Sequence, residues 1–155
     1  MDAIEKQLLV INLDRFKVIN NVRGSRLADK LLQEVARRLL TLVAKQGQVY
    51  RLGADEFAVL ASCITLENPL LQAMNQPLEL DGESFQLSVS LGIADTQGLR
   101  EAQSNDLLQK ASTALAAAKR HGGNQAIYFE AGLAETARDT FEIENWNRLF
   151  FFGLP

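Results

Sequence analysis

Hydrophobic positions along the chain change period several times, and each change marks an element. Leu8 to Leu13 is an apolar, partly β-branched run of strand length, suited to a strand buried on both faces. Leu27, Leu31, Val35 and Leu39 then recur every fourth residue, with Lys30, Glu34, Arg37 and Arg38 on other faces. That spacing predicts an amphipathic helix closing near Gly47. Val49 to Leu60 reads as two short strands about a tight turn at Gly53-Ala54, with Val49, Leu52, Phe57, Val59 and Leu60 anchoring the arms. A short helix around Leu66 to Met74 follows, then strands Leu78 to Leu80 and Phe85 to Ala94 around Asp81-Gly82. Ser104 or Asn105 caps a helix through Leu107, Leu108, Ala111, Leu115 and Ala118, which Gly122 ends. Ala126 to Phe129 makes a last short strand. Alternating strands and helices with one central hairpin predict an α/β (α+β) sandwich, a mixed sheet with helices packed on it.

Composition narrows the partners. A chain of 155 residues is one domain in length, and with 47% hydrophobic residues it can bury a normal core. The formal charge is -3 and no basic stripe is present, which argues against a nucleic-acid polymer as partner. The apolar runs are too short to span a bilayer and no signal peptide heads the chain. A single cysteine, Cys63, excludes an internal disulfide, and the expected location is the reducing cytoplasm. Residues 1–129 are expected to form the domain and 130–155 a helical, aromatic tail or linker. That tail holds Phe141, Trp146 and Phe150 to Phe152, a cluster of the kind that marks a contact surface.

The chemistry concentrates in the central hairpin. Its turn carries two adjacent carboxylates, Asp55 and Glu56, on a platform held by apolar residues. Carboxylates so placed handle hard cations and the phosphates they escort, Mg2+ usually taking one or two plus waters. An acidic hairpin tip by itself is more often a solvated turn. His121, the only histidine, lies in an Arg-His-Gly-Gly run that reads as a helix end rather than a ligand site.

A second segment changes that reading. Leu8 to Asp29, LLVINLDRFKVINNVRGSRLAD, taken with Gly53-Ala-Asp-Glu-Phe57, resembles the GGDEF family of diguanylate cyclases, which condense two GTP molecules into cyclic di-GMP. The family pattern is roughly D-x-D-x-F-K-x-I-N-D-x-x-G-H-x-x-G-D, followed about two dozen residues later by G-G-D/E-E-F. Leu87 to Ala94 and Ala111 to Asn124 extend the likeness. The resemblance implies a ferredoxin-like, palm-type core. It places Asp55, Glu56 and Lys17 in catalysis, and Asp55, Asn12 and Leu13 at a Mg2+ site. Asn20 and Asp29 fall on the guanine edge, and Phe16, Gly53, Ala54 and Lys119 in the rest of the nucleotide site. It further implies GTP as ligand, a homodimer, and a fused or separate EAL or sensor domain as partner.

Departures from the pattern fall in the reaction centre. The family carboxylate ending the first strand is Asn12 here, which brings no negative charge to hold two dications. Asp14 matches the second family Asp, two residues on and on the same strand face if the strand stays extended. The second turn glycine is Ala54, whose methyl costs something if that position needs positive φ. Gly123 stands where a phosphate-contacting Arg is usual, and Ser25 and Ala28 replace the His and second Gly of G-H-x-x-G-D. The product-inhibition motif R-x-x-D would span Ala44 to Gly47, and neither its Arg nor its Asp is present. Three functions stay open: an active cyclase, a degenerate GGDEF domain that binds GTP and regulates a partner, and a pure interaction module.

Overall fold

The computed structural model describes residues 6–62, 66–95 and 104–130, without the side chains of Ser104 and Asn105. Strand β1 (Lys6–Leu13) leads into α1 (Phe16–Arg23) and α2 (Ser25–Val43). A 3-10 turn at Ala44–Gln46 connects to β2 (Gly47–Arg51) and β3 (Glu56–Ser62). Then come α3 (Glu67–Asn75), β4 (Leu78–Leu80), β5 (Glu83–Phe85), β6 (Val89–Asp95), α4 (Ser104–Arg120) and β7 (Ala126–Tyr128). Five strands form one sheet in the order β2-β3-β1-β6-β7, and β4-β5 form a separate ribbon. The sheet is mixed: β1 runs antiparallel to β3 and β6, while β6 and β7 are parallel.

Because β1 is central, it is buried on both faces, and its side chains alternate between two cores. Leu9, Ile11 and Leu13 join Leu31, Val35 and Leu39 of α2 and Leu70 and Met74 of α3 on one side. Leu8 and Val10 join Leu107, Ala111 and Leu115 of α4 on the other. The four-residue repeat of α2 is thus the stripe that covers the first face. Helix α4 lies so close to β6 that a Cβ on Gly92 would come within 2.0 Å of the Ala111 carbonyl and 2.3 Å of the Leu115 nitrogen.

Helix ends are built as the sequence predicts at one end of α4. Gly122 (φ +104) stops it, with Gly122 N donating to Lys119 O and Gly123 N to Ala118 O, a paired closure that only the left-handed region permits. The Asp81-Gly82 turn has φ of 52° and 80°, as a two-residue hairpin needs. Arg23 holds Glu83 in a two-pronged ion pair at 2.7 Å and Lys30 reaches Asp81, so the ribbon is tied to α1 and α2. Arg38 caps the end of α3 by donating to the carbonyls of Ala73, Gln76 and Pro77.

One helix was not anticipated, and three expectations need correction. Residues 16–23 form a separate helix, α1, started by Arg15 in the left-handed region and ended by Gly24 (φ +92). Helix α2 closes at Val43, not at Gly47, which is already the first residue of β2. The run from Phe85 to Ala94 is not one strand: β5 ends at Phe85 and β6 begins at Val89, because Ser88 turns inward to bond Asp14. The hairpin turn is longer than Gly53-Ala54 and spans the four residues between β2 and β3. Cys63 and the aromatic tail lie outside the described residues, as does the side chain that would cap α4.

Candidate functional site

Antiparallel register brings the acidic turn to the end of β1. Asn12 lies opposite Glu56 on one side and Ser90 on the other, so the three form a row across β3, β1 and β6 on the α4 face. The turn is fastened there by its backbone. Leu52 N donates to Glu56 O at 2.9 Å, closing the turn, and Leu13 N donates to Asp55 O at 3.1 Å. The Asn12 amide donates to the same Asp55 carbonyl at 3.4 Å. Arg51 spans the turn from outside, its guanidinium on the carbonyls of Gly53 and Ala54.

Neither Gly53 nor Ala54 has positive φ, and a Cβ on Gly53 would meet nothing closer than 3.9 Å. The Ala54 methyl therefore carries no backbone strain. The double glycine of the family pattern is not required to fold this turn.

Electrostatics differ sharply between the carboxylates. Burial and the neighbouring Asp55 charge push the Glu56 carboxyl up to about 7, with Lys119 and Lys17 pulling weakly the other way. For Asp14, burial alone would raise the carboxyl. Hydrogen bonds from Lys119, Ser90 and Ser88 outweigh it and hold the group below the usual carboxylate range. Asp14 accepts from Ser88 Oγ, Ser90 Oγ and Lys119 Nζ, each at 2.7 Å, and from Asn124 N at 2.9 Å. It is the polar hub of this pole of the sheet. Its partners lie 74 to 110 residues away in sequence, so the only sign of it in the chain was its place in the family pattern.

The other candidates are placed as follows. Lys17 is an exposed residue of α1, close enough to Glu56 to influence its charge. Asn20 (α1) and Asp29 (second turn of α2) are exposed on two helices that pack together. Neither caps a turn or sits in a helix's first turn. Phe16 is buried in the core, 5% exposed, so its ring faces the protein interior. Lys119 joins the site from α4 but is ion-paired to Asp14. A cleft of about 560 Å³ opens beside this hub, with Asp14, Ser88 and Asn124 in its lining together with Arg15, Val18 and Ile19, and none of Lys17, Asn20, Asp29 or Asp55 lines it.

The donor set near Asp55 can be tested for magnesium. Among the described residues no group of three or more His, Cys, Asp or Glu side chains converges. Asp14 is saturated by its own donors and Asn12 is uncharged. Asp55 brings one charged ligand, which by its chemistry suits one hydrated ion, since Mg2+ keeps several waters and takes one or two carboxylates. The set does not fit two dications.

Position 47, where the family's inhibition motif ends, is closed to side chains. A Cβ on Gly47 would meet Leu60 O at 2.4 Å.

Comparison with known proteins follows the same lines. The family described as "Diguanylate cyclase, GGDEF domain" matches residues 4–125. The chain is 32% identical over 142 residues to the bifunctional diguanylate cyclase/cyclic di-GMP phosphodiesterase MucR of Pseudomonas aeruginosa, covering 88% of this chain and 21% of MucR. It is 33% identical over 143 residues to the signaling protein YkoW of Bacillus subtilis, covering 83% of this chain and 17% of that protein. The chain thus spans about a fifth of these relatives. Among solved structures, an EAL/GGDEF domain protein from M. capsulatus superposes with TM-score 0.73 at 30% identity, covering 83% of this chain and 87% of that one. The GGDEF domain of YfiN (TpbB) from Pseudomonas aeruginosa gives 0.74 at 28%, covering 83% and 84%. Matching motifs, matching mixed sheet and a match over most of its length lead to one conclusion: the chain belongs to the GGDEF family of diguanylate cyclase domains.

Proposed function

We propose that this GGDEF domain serves cyclic di-GMP signalling as a catalytically degenerate module that binds GTP and regulates a partner. The observation that carries the reading is a split in how polar groups are used. At the end of β1 the carboxylate nearest the turn, Asp14, is filled by four protein donors, and Asn12 offers no charge. Condensing two GTP molecules calls for paired metal ions that neutralise the reacting phosphates. Asn20 and Asp29, by contrast, are exposed and have no protein partner among the described residues. A carboxylate such as Asp29 accepts both guanine N–H donors, which adenine lacks. Lys17 supplies positive charge for the phosphates, and Asp55 with the Leu13 carbonyl holds one Mg2+. An EAL or sensor domain, on the same polypeptide or separate, is the proposed recipient of the signal, and a homodimer the proposed assembly, working in the cytoplasm.

Calorimetric titration with GTP, with and without Mg2+, tests this. GTP binds and ATP does not, and Asp29→Ala weakens GTP by about 5- to 150-fold, the equivalent of one lost charged acceptor at about 1–3 kcal/mol. Asp55→Ala removes the gain from Mg2+. Incubation with GTP and Mg2+ or Mn2+ yields no cyclic di-GMP by chromatography. Equal binding of GTP and ATP, or robust product, overturns the proposal.

A further inference from the structure

Lys119 is the α4 cation whose charge reaches the acidic turn, acting on Glu56, yet it is already ion-paired. Its Nζ lies 2.7 Å from Asp14 Oδ1, and the two side chains are only 33% and 13% exposed. The Asp14 carboxylate is itself tied to the scaffold by further hydrogen bonds. Ser88 binds it from just before β6, Ser90 from within β6, and Asn124 N from the loop after α4. A phosphate that recruited Lys119 would have to draw the ammonium off a carboxylate that cannot follow. Gly123 completes the arrangement. It adopts φ +76, and a Cβ there would stand 3.0–3.1 Å from three atoms of the Asp14 carboxyl group, so a glycine lets the loop close over this pair.

We propose that Asp14 is a built-in counter-anion that withholds Lys119 from polyphosphate ligands, so that phosphate affinity at this site is set by an internal ion pair. The proposal rests on, and deepens, the nucleotide-binding reading above. It makes Asp14 a specificity-determining residue for the phosphate half of the ligand. The competing role, in which Asp14 orients Lys119 toward phosphate, has the opposite sign: removing the carboxylate would then weaken binding.

Inorganic tripolyphosphate, titrated calorimetrically into the full chain at low ionic strength without divalent cations, separates the two. Asp14→Asn keeps the shape and an acceptor for Asn124 N, and the serine hydroxyls can rotate to accept from the new amide. Breaking a partly exposed ion pair is expected to tighten tripolyphosphate about fivefold in Asp14→Asn. The double variant Asp14→Asn/Lys119→Met binds no tighter than the unmodified protein, because the freed ammonium is the source of the gain. Weaker or unchanged binding by Asp14→Asn overturns the proposal, as does no tripolyphosphate binding by any variant. Should Asp14→Asn fail to fold by circular dichroism, Lys119→Met decides alone: a tenfold or greater loss would show that Lys119 already serves phosphate. Guanosine, titrated in parallel, tests the base contacts separately. Its failure to bind would sink the guanine reading and leave the tripolyphosphate result standing.

Discussion

Glu56 offers the sharpest test of the site's electrostatics, through Glu56→Gln. In the folded protein its carboxyl is pushed from 4.5 up to about 7 by burial and by Asp55. Below pH 4.5 the group is protonated both folded and unfolded. Between pH 4.5 and 7 the folded state keeps a proton that the unfolded state has shed, so stability falls as pH rises through that window and is flat above it. At about 1.4 kcal/mol per pKa unit the unscreened loss is about 3 kcal/mol, and because Glu56 is partly open to water, screening reduces it to about 1–2 kcal/mol. Urea unfolding at pH 5 and pH 8, in EDTA, reads this directly. The unmodified protein should lose about 1–2 kcal/mol between the two, while the variant loses little and is the more stable at pH 8 by a similar amount. Asp14 acts with the opposite sign, but below 3.8, outside this range. Parallel pH profiles for the two proteins would refute the reasoning, since no strained carboxylate would then be present at the turn.

Two further substitutions probe the scaffold. Gly92→Ala places a methyl group against α4 backbone at 2.0–2.3 Å, and thermal or urea unfolding should show a loss of about 3 kcal/mol or more, or no folded protein at all. Arg38→Ala leaves the carbonyls of Ala73, Gln76 and Pro77 without their donor and should cost about 1–3 kcal/mol in urea unfolding, with Arg38→Lys restoring only part because an ammonium lacks the planar fork.

How much of this was legible in the chain depended on how local the cause was. The core strand β1, the helices α2 and α4, and the Asp81-Gly82 turn follow from spacing and from residues within one element, and the structure contains them. Helix α1 was not separated from its surroundings because eight residues give too little periodicity, and its start is a left-handed Arg15, a residue type with no preference for that geometry. The break between β5 and β6 was invisible for a different reason. Ser88 leaves the strand to bond a carboxylate 74 residues away, a partnership that no local pattern records. The same holds for the site. The motif located Asn12, Asp55 and Lys119 at one pole of the sheet. That Asp14 monopolises Lys119, and that Glu56 is hard to ionise, are properties of groups brought together only by folding. The worry over Ala54 came from treating a family glycine as a backbone requirement, whereas this turn has no positive φ at that position.

Gly47 and Gly123 bear on which side chains this fold can accept as well as on its shape. The family pattern has Asp at the first position and Arg at the second. A side chain at 47 now runs into Leu60 O at 2.4 Å, and one at 123 into the Asp14 carboxyl group at 3.0 Å, from a left-handed backbone. An Asp at position 12 would aim an oxygen at the Asp55 carbonyl that the Asn12 amide now donates to. Each of these single substitutions therefore meets a steric or electrostatic cost in this fold, and the family side chains could be accommodated only by several changes made together.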